Sequence, residues 1–268
     1  MELMVGGSRK LVLGMVHLSP LPGTPFHAGG GLGEIVDTAV ASARALHAGG
    51  ADGCLVQTVD RVYSVADDAD PARVAAMSLV VRAVVEATGG QFAVGVHMLR
   101  NAVRASLAVA KIAGGSFVRV GALVGQTLTA HGLVEPDPMR IMQYRGRIDA
   151  WDIRVIADID SMHFRWLGGK PTAEVARHAM TTGADAVCLG HPDERTTLDM
   201  IASVRAAVPG VPVILAGHTN HDNAARLLAH ADGAFVGSCL EIGGWGGRID
   251  VEKVKRYVGE VRSAREPS

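Results

Sequence analysis

Three stretches of the chain follow one local pattern: "GGADGCLV" at residues 49–56, "TGADAVCL" at residues 182–189 and "HADGAFV" at residues 230–236. In each, a helical pattern ends, an Ala-Asp pair turns the chain, and a short apolar run begins. Aspartate suits such a turn because its side chain can bond to nearby backbone groups. Asp52, Asp185 and Asp232 are therefore expected to shape the entrances of three buried strands.

The alternation of buried strand and helix continues along the whole chain. Mostly continuous apolar runs, typical of strands covered on both faces, lie at residues 11–16, 53–58, 92–98, 116–120, 154–159, 184–189, 211–216 and 233–237. Helical patterns lie between or after them at residues 34–48, 71–87, 101–113, 137–144, 172–182, 194–208, 220–229 and 251–262.

Eight strand–helix units without a break in composition predict an α/β fold, a single (β/α)8 TIM barrel. It is expected to span residues 1–268, with ragged termini at 1–9 and 264–268. A doubly wound open sheet is the alternative, but the Gly-x-Gly-x-x-Gly turn typical of that fold is absent after the first strand.

Composition narrows the classes of function. The chain is 48% apolar and 20% charged, with a net charge of −1 and only 4% aromatic residues. A nucleic-acid binder normally shows a basic excess or aromatic stacking residues, so neither duplex nor single strand is an expected partner. No apolar run reaches the length of a membrane span, and no signal-peptide pattern opens the chain.

The three cysteines are odd in number, far apart and set in apolar runs. They predict a reduced, cytoplasmic protein without a structural disulfide. The expected partners are a small-molecule substrate and further copies of this chain, because barrels of this kind commonly pair.

Polar residues gather where the predicted strands end, which is where TIM barrels place their active sites. Imidazoles and carboxylates suit acid–base catalysis, and the candidates are His17, His97, Asp158, Asp160 and His163. The candidates for substrate binding are Gln57, Asp60, Asn101, Arg119, His191, Gly217, His218, Gly237, Ser238 and Glu241. No cofactor is predicted and no residue is assigned to a metal, although a divalent cation would suit the same histidines and aspartates.

Arg119 and the "DID" segment of the fifth strand form the sharpest signal. An arginine within a strand is costly unless it is paired or faces a ligand. A buried pair with Asp158 or Asp160 and a contact to an anionic substrate are both open. Alternation along the strand predicts that Asp158 and Asp160 point to the same side, where they would act as acid and base or bind a cation.

Two late loops favour phosphate binding, because many TIM barrels hold a phosphate with the loops after strands 7 and 8. Gly217, Gly237 and Ser238 would offer backbone amides there, although glycines in these loops also suit tight turns. The segment "GGWGG" at residues 243–247 is either a lid with one aromatic side chain or a linker into the last helix.

Several motifs resemble the BtpA family, a group of predicted ribulose-phosphate-binding-type barrels. They are "GMVHLSPLPGTP" at residues 14–25, "GGADG" at 49–53, "VHMLRN" at 96–101, "SFVRV" at 116–120, "YRGRI" at 144–148, "ADGAFVGSCLE" at 231–241 and "RIDVEKV" at 248–254. The resemblance covers most of the chain and implies a TIM barrel. The family is named for a role in photosystem I biogenesis, and other members look like sugar or nucleoside metabolic enzymes.

The chain departs from the family pattern at the strand ends. After the second strand, where members carry an Asn-Phe-Gly-Asp type of segment, it keeps only Asp60. It has Met162-His163 in place of a Lys-His pair and Gly217-His218 in place of a Ser-Gly pair. Glu241 stands where a lysine often follows. These changes remove positive groups that a phosphate would meet, and they leave no lysine for Schiff-base chemistry after the fifth strand.

The sequence therefore predicts an enzyme that acts by acid–base chemistry on a small polar metabolite at the mouth of the barrel. The substrate would be a sugar phosphate, a nucleoside or a nucleotide-like compound, and the reaction a lyase, isomerase or glycosidic-bond reaction. Two alternatives stay open: a non-enzymatic biogenesis or assembly factor of the BtpA type, and a metal-dependent hydrolase.

Overall fold

The eight apolar runs form the eight strands of a closed parallel barrel in a computed structural model that describes residues 9–263. The strands are β1 (Leu11–Leu18), β2 (Gly53–Thr58), β3 (Ala93–His97), β4 (Phe117–Val120), β5 (Thr127–Thr129), β6 (Gly132–Val134), β7 (Arg154–Asp160), β8 (Ala186–Leu189), β9 (Val213–Leu215) and β10 (Gly233–Val236). The order around the barrel is β1-β10-β9-β8-β7-β4-β3-β2. The predicted TIM barrel is thereby confirmed, while the predicted ragged ends, apart from Arg9, lie outside the described residues.

Helices follow the barrel strands and cover their outer faces. They are α1 (Leu32–Ala48), α2 (Pro71–Thr88), α3 (Val103–Ala113), α4 (Pro138–Arg147), α5 (Thr172–Thr182), α6 (Glu194–Ala207), α7 (Ala224–Leu228) and α8 (Val251–Ser263). A short 3-10 helix, Ser238–Leu240, follows β10. Within residues 9–263, no helix is long and apolar enough to cross a membrane.

Alternate residues of the barrel strands point inward, and the lower part of the interior is apolar. A separate buried cluster includes Leu13, Leu55, Phe117, Ile156 and Phe235. Large apolar side chains in this layer are typical of a barrel whose interior is filled rather than hollow. Two positions later on β2, β4 and β7 come Gln57, Arg119 and Asp158, so the packed lower layer supports three buried polar side chains.

The three Ala-Asp turns lie at the amino ends of their strands, as the sequence predicts. Asp52 Oδ2 accepts the backbone N–H of Val12 at 2.9 Å. In the same way, Asp185 binds the N–H of Val155 at 2.8 Å and Asp232 binds that of Val213 at 2.7 Å. Each aspartate thus ties its own strand entrance to the first residues of a neighbouring strand.

Two local features differ from the sequence prediction. Strands β5 and β6 pair as an antiparallel hairpin in the loop after β4, where no strand is predicted. Helix α7 is five residues long, whereas the pattern predicts a helix over 220–229. Asn220 explains the late start, because its Oδ1 accepts the backbone N–H of Asp222 at 2.8 Å and holds the preceding residues in a turn.

Candidate active site

A cavity of about 690 Å³ lies at the carboxyl ends of the barrel strands. Its lining includes eight of the residues that the sequence predicts for the site: His17, Gln57, Arg119, His163, Gly217, His218, Gly237 and Ser238. The strands that carry them come from all parts of the chain, so the closed barrel is what brings them together.

His17, Gln57 and His97 lie side by side on three neighbouring strands. The strand register pairs His17 with Gln57 and Gln57 with His97. The sequence predicts a first strand that ends at residue 16, with His17 just after it. Strand β1 instead runs to Leu18, so His17 lies within the strand. Its position two residues after Met15 points it into the barrel interior, directly above the apolar layer.

His97 is a buried imidazole with one nitrogen bound and the other without a partner. Its Nδ1 lies 3.0 Å from Gln57 Oε1, and an amide oxygen only accepts, so Nδ1 carries the proton. Nε2 is buried and has no hydrogen-bond partner in the described part of the chain. Burial and the nearby Arg119 cation hold the pKa of His97 well below its ordinary value, so the ring is neutral at pH 7.

His163 separates His97 from the cavity. The two ring centroids are 6.0 Å apart in an edge-on arrangement, and His163 lines the cavity whereas His97 does not. Burial and the Arg119 and Arg100 cations hold the pKa of His163 well below its ordinary value. Arg100 Nη1 lies 3.3 Å from His163 Nδ1. Since arginine only donates, Nδ1 accepts and the neutral ring carries its proton on Nε2.

Arg119 forms the buried ion pair that the sequence leaves open, and its partner is Asp158. The guanidinium Nη2 lies 3.0 Å from Asp158 Oδ1 and 3.2 Å from Oδ2, and both side chains are buried. Burial raises the pKa of Asp158, and the Arg119 cation opposes that rise. Arg119 also reaches the cavity wall, whereas Asp158 does not. Asp158 is therefore placed to hold Arg119 rather than to exchange a proton with a substrate.

Asp160 does not join Asp158 in an acid–base pair, although strand alternation predicts that it would. The pairing of β7 with β8 shifts register between the two aspartates. Asp160 Oδ2 instead accepts a hydrogen bond at 3.0 Å from the hydroxyl of Thr172, the first residue of α5. The irregularity in the strand thus turns Asp160 toward the surrounding helices.

Asp60 connects helix α2 to the loop that follows β1. It forms a buried ion pair with Arg73 of α2, and its Oδ1 accepts the backbone N–H of Leu21 at 3.3 Å. Leu21 lies in the proline-rich loop and is itself buried. Asp60 therefore anchors that loop, and the structure places it outside the main cavity.

Asn101 and His191 also form hydrogen bonds with backbone groups of nearby loops. Asn101 binds both backbone groups of Ala122, accepting from N–H at 2.8 Å and donating to C=O at 2.9 Å. His191 Nδ1 accepts the backbone N–H of Asp193 at 3.0 Å, next to the start of α6. Neither residue lines the cavity, so their predicted role in substrate binding has no support in this geometry.

Glu241 faces His17 rather than the cavity. The distance from His17 Nδ1 to Glu241 Oε1 is 3.6 Å, and only 2% of the Glu241 side chain is exposed. Its second oxygen, Oε2, is buried without a hydrogen-bond partner in the described residues. The exposed Trp245, from the glycine-rich segment, places its ring 5.6 Å from the His17 ring. Glu241 thus lies behind His17, whose Nδ1 also has no hydrogen-bond partner within residues 9–263.

The loop after β9 has a backbone that is strained at a residue lining the cavity. Gly217 has a φ of 113° and His218 a φ of 61°, both in the left-handed region. Such a conformation is costly for a histidine and persists only where the surroundings fix it. Asn223 contributes by donating its Nδ2 hydrogen to the carbonyl of His218 at 3.0 Å. Burial lowers the pKa of His218, and the nearby His191 lowers it further.

Arg100 and Tyr63 line the cavity but are absent from the sequence-based candidates. The Arg100 guanidinium carbon lies 4.9 Å from the centre of the Tyr63 ring. The signal was present in the sequence, because Arg100 follows β3 by three residues and stands between His97 and Asn101. Reading every cation after a strand end would have found it.

The described residues were also compared with the ligand groups that a metal ion requires. Within residues 9–263, no three His, Cys, Asp or Glu side chains are grouped so that they could hold a metal ion. The polar part of the cavity lining consists of imidazoles, guanidinium groups, amides and hydroxyl groups, and apolar side chains such as Met162 and Phe235 complete it.

The sequence matches the model of the BtpA family over residues 8–263. The chain belongs to the BtpA family. Among its relatives is the Photosystem I biogenesis protein BtpA of Synechocystis, 32% identical over 236 residues, covering 86% of this chain and 80% of the relative. An uncharacterized protein of Archaeoglobus fulgidus is 31% identical and covers 93% of this chain and 97% of its own.

The fold of this BtpA family member is similar to that of several solved structures. Thiamine phosphate pyrophosphorylase from Pyrococcus furiosus is 17% identical, with a TM-score of 0.56, covering 96% of this chain and 98% of its own. Phosphoribosyl anthranilate isomerase from Thermus thermophilus is 16% identical, with a TM-score of 0.55, covering 95% of this chain and all of its own. At such identities the likeness establishes a shared TIM-barrel fold.

Proposed function

We propose that this BtpA family member is an enzyme that binds a small polar metabolite in the mouth of its barrel and acts on it by proton transfer. The observation that carries the proposal is a pair of buried imidazoles, His97 and His163, kept neutral beside Arg119 at the wall of a 690 Å³ cavity. Perturbed titratable groups that converge on a large cavity are the usual mark of a catalytic site.

The two imidazoles differ in where they hold their protons, which suits opposite roles. His163 carries its proton on Nε2 because Arg100 donates to Nδ1, so its N–H can donate a hydrogen bond that polarises a substrate oxygen. His97 carries its proton on Nδ1 because Gln57 accepts there, so its Nε2 can act as a base, reached from the cavity past His163. His17, whose Nδ1 lies 3.6 Å from Glu241 Oε1, is a third candidate for proton transfer, two strands away from His97 in the barrel.

Arg119 and the late loops would bind the substrate. Arg119, neutralised in part by Asp158, would hold a carbonyl or anionic group of the substrate near the imidazoles. Gly217, Gly237 and Ser238 line the cavity on the β9 and β10 side and would take the substrate's tail. The names of both fold neighbours include phosphorylated compounds, which is in keeping with a phosphorylated tail.

Within this proposal, proton transfer at a carbon or at a leaving oxygen gives a lyase, isomerase or glycosidic-bond reaction. A non-enzymatic role in biogenesis is the second candidate, and the observation that favours it is the name of the Synechocystis relative. The two differ in what they require of the cavity, because a biogenesis factor has no need of its buried imidazoles.

A ligand screen followed by a turnover assay tests the proposal. Phosphorylated sugars, nucleosides and nucleotides would be tested for a rise in melting temperature, since a ligand that binds only the native state stabilises it. Stabilising compounds would then be incubated with the protein and followed by NMR. We expect a phosphorylated compound to stabilise the protein and to be converted.

Matched variants decide whether the mouth is responsible. His163→Gln and His17→Gln remove groups that line the cavity, whereas His178→Gln removes an exposed histidine from α5. We expect the two cavity variants to lose most of the turnover and His178→Gln to keep it. Normal turnover in both cavity variants would show that the mouth is not the active site.

A further inference from the structure

We infer that the cavity holds a second anion subsite, centred on Arg100, so that its substrate carries two anionic groups on opposite sides of the mouth. This inference rests on the proposed function in one respect, because it takes the glycine loops after β9 and β10 as the place of the first anionic group. What it adds is the group at the other end of the substrate.

The charge of Arg100 has no carboxylate partner within the described residues. The other guanidinium in the cavity lining, that of Arg119, is paired with Asp158. Arg100 contacts His163, which is neutral at pH 7, and Tyr63, which is uncharged. The wall formed by β3, β4 and β7 therefore carries an uncompensated positive charge that faces the cavity.

Arg100 also has a hydrogen-bonding group in need of a partner. Its Nε is buried and makes no hydrogen bond within residues 9–263. A buried donor without an acceptor costs free energy that an incoming anion can recover. Carboxylate and phosphate groups both present paired oxygens that match the fork of a guanidinium.

The Arg100 side chain is already held in place before any ligand binds. The Tyr63 ring lies against one side of it, with 4.9 Å between guanidinium carbon and ring centre. His163 Nδ1 lies 3.3 Å from Nη1. A cation fixed in this way loses less conformational entropy on binding than a free side chain, so more of the contact energy is retained as affinity.

The barrel order places the two subsites across the mouth from each other. In the ring β1-β10-β9-β8-β7-β4-β3-β2, strands β3 and β9 stand four positions apart in either direction. Arg100 follows β3, and Gly217 and His218 follow β9. A substrate that reaches both must carry an anionic group at each end, as a phosphorylated acid or a bisphosphate does.

Inorganic phosphate and malonate are the probes for this subsite, each titrated at pH 7.5 and followed by NMR. The Hε1 ring signals of His163 and His218 report the two sides of the mouth, and each is assigned from its loss in the His163→Gln or His218→Gln variant. We expect at least one anion to move the His163 signal. Movement with malonate alone assigns a carboxylate to the Arg100 side, and movement with phosphate assigns a phosphate.

The variants that decide the inference are Arg100→Gln, Arg100→Lys and Arg82→Gln. Arg82 is exposed on α2 and pairs with Glu86, away from the cavity, so it is the matched control. We expect Arg100→Gln to weaken the response of His163 about tenfold, the loss of one charge-assisted contact. Arg100→Lys should restore part of it, and Arg82→Gln should match the wild type. Unchanged His218 titration shows that the variants are folded.

Two results would overturn the subsite. In the first, neither anion moves the His163 signal; in the second, Arg100→Gln responds as strongly as the wild type. In the first case, movement of the His218 signal alone leaves the proposed function standing with a single anionic tail. Failure of the proposed function itself is seen separately, as absence of turnover in the compound screen.

Discussion

The polar side chains at the two ends of the barrel differ in how completely their hydrogen bonds are satisfied. At the amino ends of the strands, Asp52, Asp185 and Asp232 each accept a backbone N–H and pair with at least one arginine. At the carboxyl ends, buried atoms of His97 and Glu241 have no hydrogen-bond partner within residues 9–263. Satisfied polar groups stabilise a fold, whereas unsatisfied ones cost stability and are kept where a ligand can use them.

The largest effect is expected from Asp158, the buried ion-pair partner of Arg119. Asp158→Ala leaves the Arg119 cation buried and unpaired, which should lower the free energy of unfolding by about 3–5 kcal/mol. Urea denaturation would measure the loss. The double variant Arg119→Met/Asp158→Leu removes both charges and should recover most of it. A single variant as stable as the wild type would show that the pair does not act as part of the framework.

A smaller loss is expected at the opposite end of the barrel. Asp185→Ala removes the acceptor for the Val155 N–H and the partner of Arg145 and Arg154, and should cost about 2 kcal/mol. Asp199→Ala, an exposed change on α6, should stay within about 0.5 kcal/mol. Chemical denaturation of both variants measures the difference. If the two cost the same, the entrance aspartates do not stabilise the barrel.

The protein should become less stable as the pH is lowered, because two histidines at the mouth are buried in the neutral form. The pKa values of His97 and His163 are lowered in the folded state, so below about pH 6.5 the unfolded chain binds protons that the native chain does not. The free energy of unfolding should therefore decrease as pH falls, by about 1.4 kcal/mol per pH unit for each imidazole, with no such slope above that range. Denaturation at pH 7.5, 6.5 and 5.5 measures it.

The double variant His97→Gln/His163→Gln is the control for this slope. It should lose that part of the pH dependence while keeping the contribution of the other histidines. An identical slope in wild type and variant would contradict the placement of these two rings as buried and neutral.

Among the buried groups, a smaller effect on stability is expected at Glu241. Its carboxylate is buried, lies 3.6 Å from His17 Nδ1 and leaves Oε2 without a hydrogen-bond partner within residues 9–263. It therefore stabilises the fold little, and Glu241→Gln should change the free energy of unfolding by less than about 1 kcal/mol. Loss of turnover on any substrate found in the screen should accompany this small change. A loss of stability as large as that of Asp185→Ala would remove the contrast between the two ends.

Much of the fold was within reach of the sequence because its signals are local. The continuous apolar runs and the Ala-Asp turns depend on neighbours in the chain, and the turn aspartates lie where the pattern places them. Helix α7 was predicted too long because Asn220 and Asn223 bond locally and replace its first turn. Strands β5 and β6, three residues each, are too short to give a periodic signal.

The site was harder to predict because its decisive contacts are long-range. The rule that mouth residues lie at or just after the carboxyl ends of the strands located His17, Arg119 and His163. It could not show that Asp158 forms an ion pair with Arg119. It also could not show that the pairing of β7 with β8 shifts register between Asp158 and Asp160, so that the two carboxylates do not lie together. These outcomes depend on which strand lies next to which, and a single sequence does not contain that register.

The closure of the barrel between β1 and β10 has a consequence for synthesis of the protein in the cell. These two strands pair although they come from opposite ends of the described chain, and they bring His17 beside Glu241. A ribosome releases the first of these residues long before the second, and domains fold as they emerge. The nascent chain therefore cannot assemble this side of the mouth until its last strand has docked, and a chain cut short before Glu241 lacks it.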